Sequence, residues 1–219
     1  MDIAVSERVV LLHGLMRRAG SMKILARRLE AEGFETELVG YPSRSRSIEA
    51  LADITAQKIR SLDPHDGGRI HFVTHSLGGI LARVMLQKGG WPNLGRVVML
   101  APPNGGSELA DLLIRTPLLW RIYGQPVREL GTGPESLPNN LPKPDYEVGV
   151  IAGNRSPNPL FSLFIKGPDD GKVGVAKARL DGMKDFIVIR RTHSFIMNSP
   201  EAARQTVHFL RHGRFEKMI

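Results

Sequence analysis

Cysteine is absent from the 219 residues, which excludes a disulfide framework, a thiolate metal site and a cysteine nucleophile. No run of about eighteen apolar residues occurs, so the sequence offers no membrane-spanning helix. The opening stretch, Met1-Asp2-Ile3-Ala4-Val5-Ser6-Glu7, lacks the basic and apolar segments of a secretory signal. Together these absences lead us to expect a cytoplasmic protein. Internal repeats and low-complexity tracts are also missing, and the length suits a single domain over residues 1–219 with a substantial core.

What is present begins with charge. The formal net charge is +8, and basic residues recur along the chain, among them Arg17, Arg18, Arg27, Arg28, Arg44, Arg46, Arg190, Arg191, Arg211 and Arg214. They stand in pairs rather than in one block, and no aromatic-rich nucleic-acid motif accompanies them, so nucleic acid is not an expected partner. They read first as a solvated basic surface. The alternative is a weak attraction to an anionic membrane surface or to acidic substrates.

Apolar runs alternate with helical periods, the pattern of βαβ units and a parallel sheet. Strands are expected over 9–12, 36–41, 70–74, 97–100, 146–152 and 186–189. Helices are expected over 21–32, 48–62, 77–87, 107–114 and 202–210, on both faces of the sheet. Two stretches break the alternation, 117–144 and 154–174, and long irregular segments in a compact domain commonly serve as lids or binding loops. The first of these, within 116–145, carries Leu118, Leu119, Trp120 and Tyr123. The segment around these four is the candidate apolar cap over an acyl chain, with Leu118 and Trp120 as substrate-binding residues; ordinary packing against the body is the alternative.

The most informative segment is Thr74-His75-Ser76-Leu77-Gly78-Gly79, where a strand runs into a serine and a helix begins at once. Such a turn forces the serine into strained backbone geometry and lifts its hydroxyl above the sheet. Positions two before and two after must be small, and Gly78 satisfies this on the helix side. A serine hydroxyl needs a base. Of the seven histidines, His193 follows the last strand, at the sheet's carboxyl edge where catalytic groups gather. His71, His208 and His212 read as surface or core residues. The imidazole in turn needs a carboxylate to fix its tautomer. Asp170 is favoured because Asp-Gly makes a sharp turn, with Asp169 as the fallback. The N–H groups of Leu15 and Leu77 are the expected oxyanion donors, Gly14 allowing close backbone approach. His13, Gly14 and His75 are placed on the substrate side, although His13 reads equally well as a structural residue. His71 and His75 are four apart but on a strand and turn, so no metal site is expected, and no cofactor is needed.

These motifs, in order Leu12-His13-Gly14, Thr74 to Gly79, Ala101-Pro102-Pro103-Asn104-Gly105-Gly106-Ser107, Asp170-Gly171-Lys172-Val173 and Thr192-His193-Ser194, run through almost the whole chain. In them the chain resembles the α/β-hydrolase superfamily, particularly its small bacterial lipases and esterases. The resemblance implies a three-layer fold with about six mostly parallel strands, beginning at the family's third strand without the usual first hairpin. It implies a small-molecule or lipid ester as substrate, and a 101–107 loop lining the acyl or leaving-group side. The family usually has glycine where this chain has Thr74, which crowds the elbow. A thioesterase or acyltransferase with the same three groups, or a binding protein that keeps only the fold, are the alternatives.

Overall fold

The computed structural model describes residues 7–62, 68–157 and 162–217, apart from the side chains of Pro117 and Leu119. Residues 1–6 of the N-terminal segment read for a signal, His65, and part of the irregular 154–174 stretch lie outside the described residues.

Six strands form one parallel sheet: β1 (Glu7–Leu12), β2 (Glu35–Val39), β3 (Arg69–His75), β4 (Leu94–Leu100), β5 (Val148–Gly153) and β6 (Asp185–Ile189). Their order is β2-β1-β3-β4-β5-β6. The chain therefore winds outward to β2, returns past β1 to β3, and continues to the other edge. That reversal puts the carboxyl ends of β1 and β3 side by side, with Leu12 level with Thr74. It is where open parallel sheets leave room for a ligand.

The strands read as unbroken apolar runs because both faces are buried. Val10 and Leu12 belong to one core, and Val9 and Leu11 to the other, following the two-residue period of a strand. The first core also takes Ile48, Leu51 and Ile59 of α2 (Ile48–Leu62) and Leu77, Ile80 and Leu81 of α3 (Leu77–Gln87). On the opposite face, α1 (Lys23–Glu30) and the last helix (Pro200–His212) pack on the sheet through Leu25, Leu29, Phe209 and Leu210. Gly149 of β5 makes space there, since a Cβ on it would stand 2.6 Å from the Phe209 ring and 2.7 Å from that of Phe215.

Boundaries depart from the expected ones where local chemistry intervenes. A 3-10 turn over Ala19–Met22 delays α1, and β2 stops at Val39 because Tyr41 turns inward to stack on His13. Ser107 lies outside α4 (Glu108–Ile114), capping it by accepting from the Ala110 N–H. The final helix is longer at both ends, capped by Ser199 and stopped by Gly213 in the left-handed region. The 116–145 stretch is not an unstructured excursion. It contains α5 (Pro117–Tyr123), a 3-10 turn over Gln125–Glu129 and α6 (Leu137–Asn140), with a further short helix, α7 (Val175–Ala178), before β6 and the final helix, α8. Among the described residues no helix is long and apolar enough to cross a membrane.

Candidate active site

Ser76 stands between β3 and α3 with φ 53° and ψ −122°, a region that costs a non-glycine residue about 1–3 kcal/mol. Close packing imposes the turn. A Cβ on Gly78 would stand 2.7 Å from the Leu12 carbonyl oxygen and 2.9 Å from that of His13. Neither backbone atom can yield, so glycine is required there. Thr74 is fully buried and fits because the position it crowds is another glycine: a Cβ on Gly79 would come within 3.3 Å of Thr74 Oγ1. The departure from glycine at 74 is thus accommodated across the elbow. It leaves the Thr74 hydroxyl buried without a hydrogen-bond partner.

Ser76 Oγ lies 2.9 Å from His193 Nε2, and His193 Nδ1 lies 2.8 Å from Asp170 Oδ2. With its proton on Nδ1, the imidazole donates to Asp170 and accepts the Ser76 hydroxyl. Asp170 is itself fixed: its Oδ1 accepts from the backbone N–H groups of Lys172 at 3.0 Å and Val173 at 2.9 Å. Its carbonyl accepts from the His193 N–H at 2.9 Å, joining the acid loop to the histidine turn. Asp169 points elsewhere, its Oδ1 accepting from the Gly171 N–H at 2.7 Å. Of the two aspartates, Asp170 is therefore the one that meets the imidazole.

His75 is buried beside this chain. Its Nε2–H donates to the His193 carbonyl at 2.9 Å, which leaves Nδ1 unprotonated. Nδ1 is buried without a partner, and a Cβ on Gly14 would stand only 2.8 Å from it. Burial, reinforced by the neighbouring His193, pushes the His75 pKa well below the ordinary histidine value. His13 braces the facing loop. Its ring stacks on Tyr41 at 4.2 Å, its Nδ1 is 2.9 Å from the Gly14 carbonyl, and its own carbonyl accepts from the Tyr41 hydroxyl. Desolvation lowers its pKa, so it too is held neutral. Met16, with φ 58°, is pinned by donating its N–H to Ser43 Oγ. Among the described residues the N–H groups of Leu15 and Leu77 have no protein acceptor. The Leu77 N–H is the first in α3, at the positive end of the helix.

Ser76, His75 and His193 open onto a cavity of about 130 Å³, whose apolar wall is Leu109, Leu113, Tyr123, Val127 and Leu130. Leu15 is among its lining residues, and His13 and Gly14 are not. Leu118 and Trp120 do not reach it. Leu118 is 70% exposed, and Trp120 packs on the core with the guanidinium of Arg128 over its ring at 5.1 Å. In α5 it is Tyr123 that turns toward the cavity. The sequence reading gave no role at the site to the two basic residues that line it, Arg17 and Lys172. Arg17 Nη2 donates to the Ser194 carbonyl at 3.0 Å, and the Lys172 carbonyl accepts from Ser107 Oγ at 2.8 Å. Their positions, three residues after Gly14 and two after Asp170, were the only available signal. Among the described residues no group of three or more His, Cys, Asp or Glu side chains is arranged to hold a metal ion.

Comparison with known proteins bears on the fold that carries this geometry. A family model described as the alpha/beta hydrolase family matches residues 9–204. No curated protein sequence matches the chain. Among solved structures, the mature form of the Bacillus licheniformis lipase BlEst2 is similar at 22% identity, with a TM-score of 0.76 covering 97% of this chain and 93% of that one. The metagenomic carboxyl esterase MGS0156 gives 20% identity and a TM-score of 0.73 over 88% of this chain and 66% of that one. The phospholipase PlaB from Legionella pneumophila gives 21% and 0.70 over 94% of this chain but only 57% of its own. At these identities the structures share a fold.

Proposed function

This chain belongs to the alpha/beta hydrolase family, and from that premise we propose that it is a serine hydrolase cleaving carboxylic esters with short acyl groups. The observation that carries the reading is the unbroken hydrogen-bonded run Ser76–His193–Asp170 at the mouth of a cavity with an apolar wall. Ser76 Oγ attacks the ester carbonyl as His193 Nε2 takes its proton. The Asp170 carboxylate holds the imidazole and stabilises its charged form. The N–H groups of Leu15 and Leu77 bind the oxyanion. His193 then passes the proton to the departing alcohol, and water, activated by the same imidazole, releases the acid from Ser76. The lipase and esterase neighbours fit this class of reaction.

Volume argues for a short acyl group. A dry cavity of about 150 Å³ holds benzene, so 130 Å³ suits roughly four to six carbons. A fluorophosphonate probe is expected to label wild-type protein and not Ser76→Ala, whose turnover of p-nitrophenyl butyrate falls by ~10⁶-fold. Failure of the folded protein to label would leave a binding protein of the same fold as the better account. Butyrate is expected to exceed laurate at least tenfold in kcat/KM. A preference for laurate would overturn the short-acyl assignment, and faster turnover of butyryl thioesters would move the substrate to that class.

A further inference from the structure

Arg17 borders two hollows at once. One is the cavity that holds Ser76. The other is an open groove of about 590 Å³ floored by Tyr41, Pro42 and Ser43 and walled by Arg17, Arg18, Arg44 and Arg121. Met16 is the second shared residue, so the two hollows meet at the Met16–Arg17 saddle, one residue beyond Leu15. No aspartate or glutamate lines either of them.

Among the described residues none of these four guanidinium groups has a carboxylate partner. Cations elsewhere do: Arg96 pairs with Glu147 at 2.6 Å, Lys88 with Asp53 at 2.6 Å and Arg211 with Glu32 at 3.2 Å. Lys172 adds a fifth positive group inside the cavity, where burial and then the nearness of Arg17 push its pKa down. Asp170, the carboxylate that acts on Lys172, is already engaged by His193 and two backbone N–H groups. Like charges gathered without a counter-charge repel, and an anion arriving there relieves the repulsion. Guanidinium forks match the oxygens of a phosphate, and four of them exceed what a two-oxygen carboxylate can engage.

Resting on the ester-hydrolase reading above, we propose that this arginine groove binds the phosphate of an ester substrate whose short acyl arm occupies the adjoining cavity. The saddle between the hollows would then hold the ester linkage beside Leu15. The substrate class is a phosphate-bearing ester of a short acyl group, and the phosphate the groove holds comes either from such an ester free in solution or from a lipid headgroup at a membrane surface.

Binding to the Ser76→Ala variant, which cannot turn over, tests this by calorimetry. 1-Butyroylglycerol 3-phosphate is expected to bind at least tenfold more tightly than neutral 1-butyroylglycerol. The advantage should shrink as salt rises and vanish in a variant that also carries Arg18→Ala, Arg44→Ala and Arg121→Ala, three exposed positions outside the core. Equal affinity for the two esters, or an advantage that survives the triple change, overturns the proposal. Sedimentation with phosphatidylcholine vesicles, with and without phosphatidate, separates the sources. Groove-dependent retention on the phosphatidate vesicles assigns the lipid headgroup, soluble binding alone assigns the free phosphate ester, and binding to neither refutes both. Fluorophosphonate labelling of Ser76 in wild-type protein reports on the hydrolase reading separately, so one can fail without the other.

Discussion

At the scale of single residues, His75 holds the base in place through a bond to the His193 carbonyl rather than to the Ser76 hydroxyl. Its Nε2–H is bonded to the His193 carbonyl, so His75→Ala removes a buried hydrogen bond at a cost of about 1 kcal/mol. We expect kcat to fall about tenfold with KM little changed, and His75→Gln, which keeps an N–H at that reach, to recover part of the loss. Equal kcat for Ala and Gln would show that the bond is not what matters. His13, His71 and His75 are all buried, and desolvation is the leading cause that lowers each pKa. Glu7, 3.7 Å from His71, partly offsets it at that site. A lowered folded pKa means the unfolded chain binds more protons. The stability tied to these rings is therefore complete above about pH 6.5 and is lost as pH falls below it, at up to about 1.4 kcal/mol per pH unit per ring. Urea midpoints measured between pH 7.5 and 5.5 should decline, and His75→Phe should flatten the decline. A flat wild-type profile would contradict it.

At the scale of elements, the elbow separates two glycines that look alike in sequence. Gly78→Ala sets a methyl against two backbone carbonyls, so it should cost about 3 kcal/mol or more and abolish activity. Gly79→Ala meets the Pro102 and Thr74 side chains at 3.1 and 3.3 Å, a milder crowding by side chains rather than backbone, and should cost about 1 kcal/mol. Thr74→Val removes a buried hydroxyl with no partner while keeping the shape, and should raise stability by about 1 kcal/mol. Thermal unfolding of the three variants checks the ranking. The elbow and the sheet were legible because burial on both faces writes itself as continuous apolar strands, and α2 and α3 carry unambiguous periods. The stretch around α5 was not. Pro117-Leu118-Leu119-Trp120-Arg121-Ile122-Tyr123 is apolar on nearly every side, so its sequence marks no inward face. Leu118, Trp120 and Tyr123 all belonged to the expected cap, and of these Tyr123 is the one that lines the cavity.

For the whole molecule, sequence order foretold which strand ends would converge, and Ser76, Asp170 and His193 do meet. The cations around them could not be foretold. Arg17 and Lys172 read as surface charges until the β1 loop, the acid loop and the histidine turn are folded against one another. A basic residue gains meaning from the carboxylates it lacks nearby, and that is a property of the assembled surface. The +8 charge is thus better described as a distribution with an uncompensated groove than as a uniform basic coat.

The contacts that join Ser76 to His193 span 117 residues of chain, and those that join His193 to Asp170 span 23. Every strand from β3 to β6 must therefore be in register before the hydroxyl meets its base. Parallel strands with such distant pairings form slowly. During refolding from urea, helical signal should return first and fluorophosphonate reactivity last, with no active intermediate. Reactivity of a single serine would then serve as a clock for completion of the sheet's far edge.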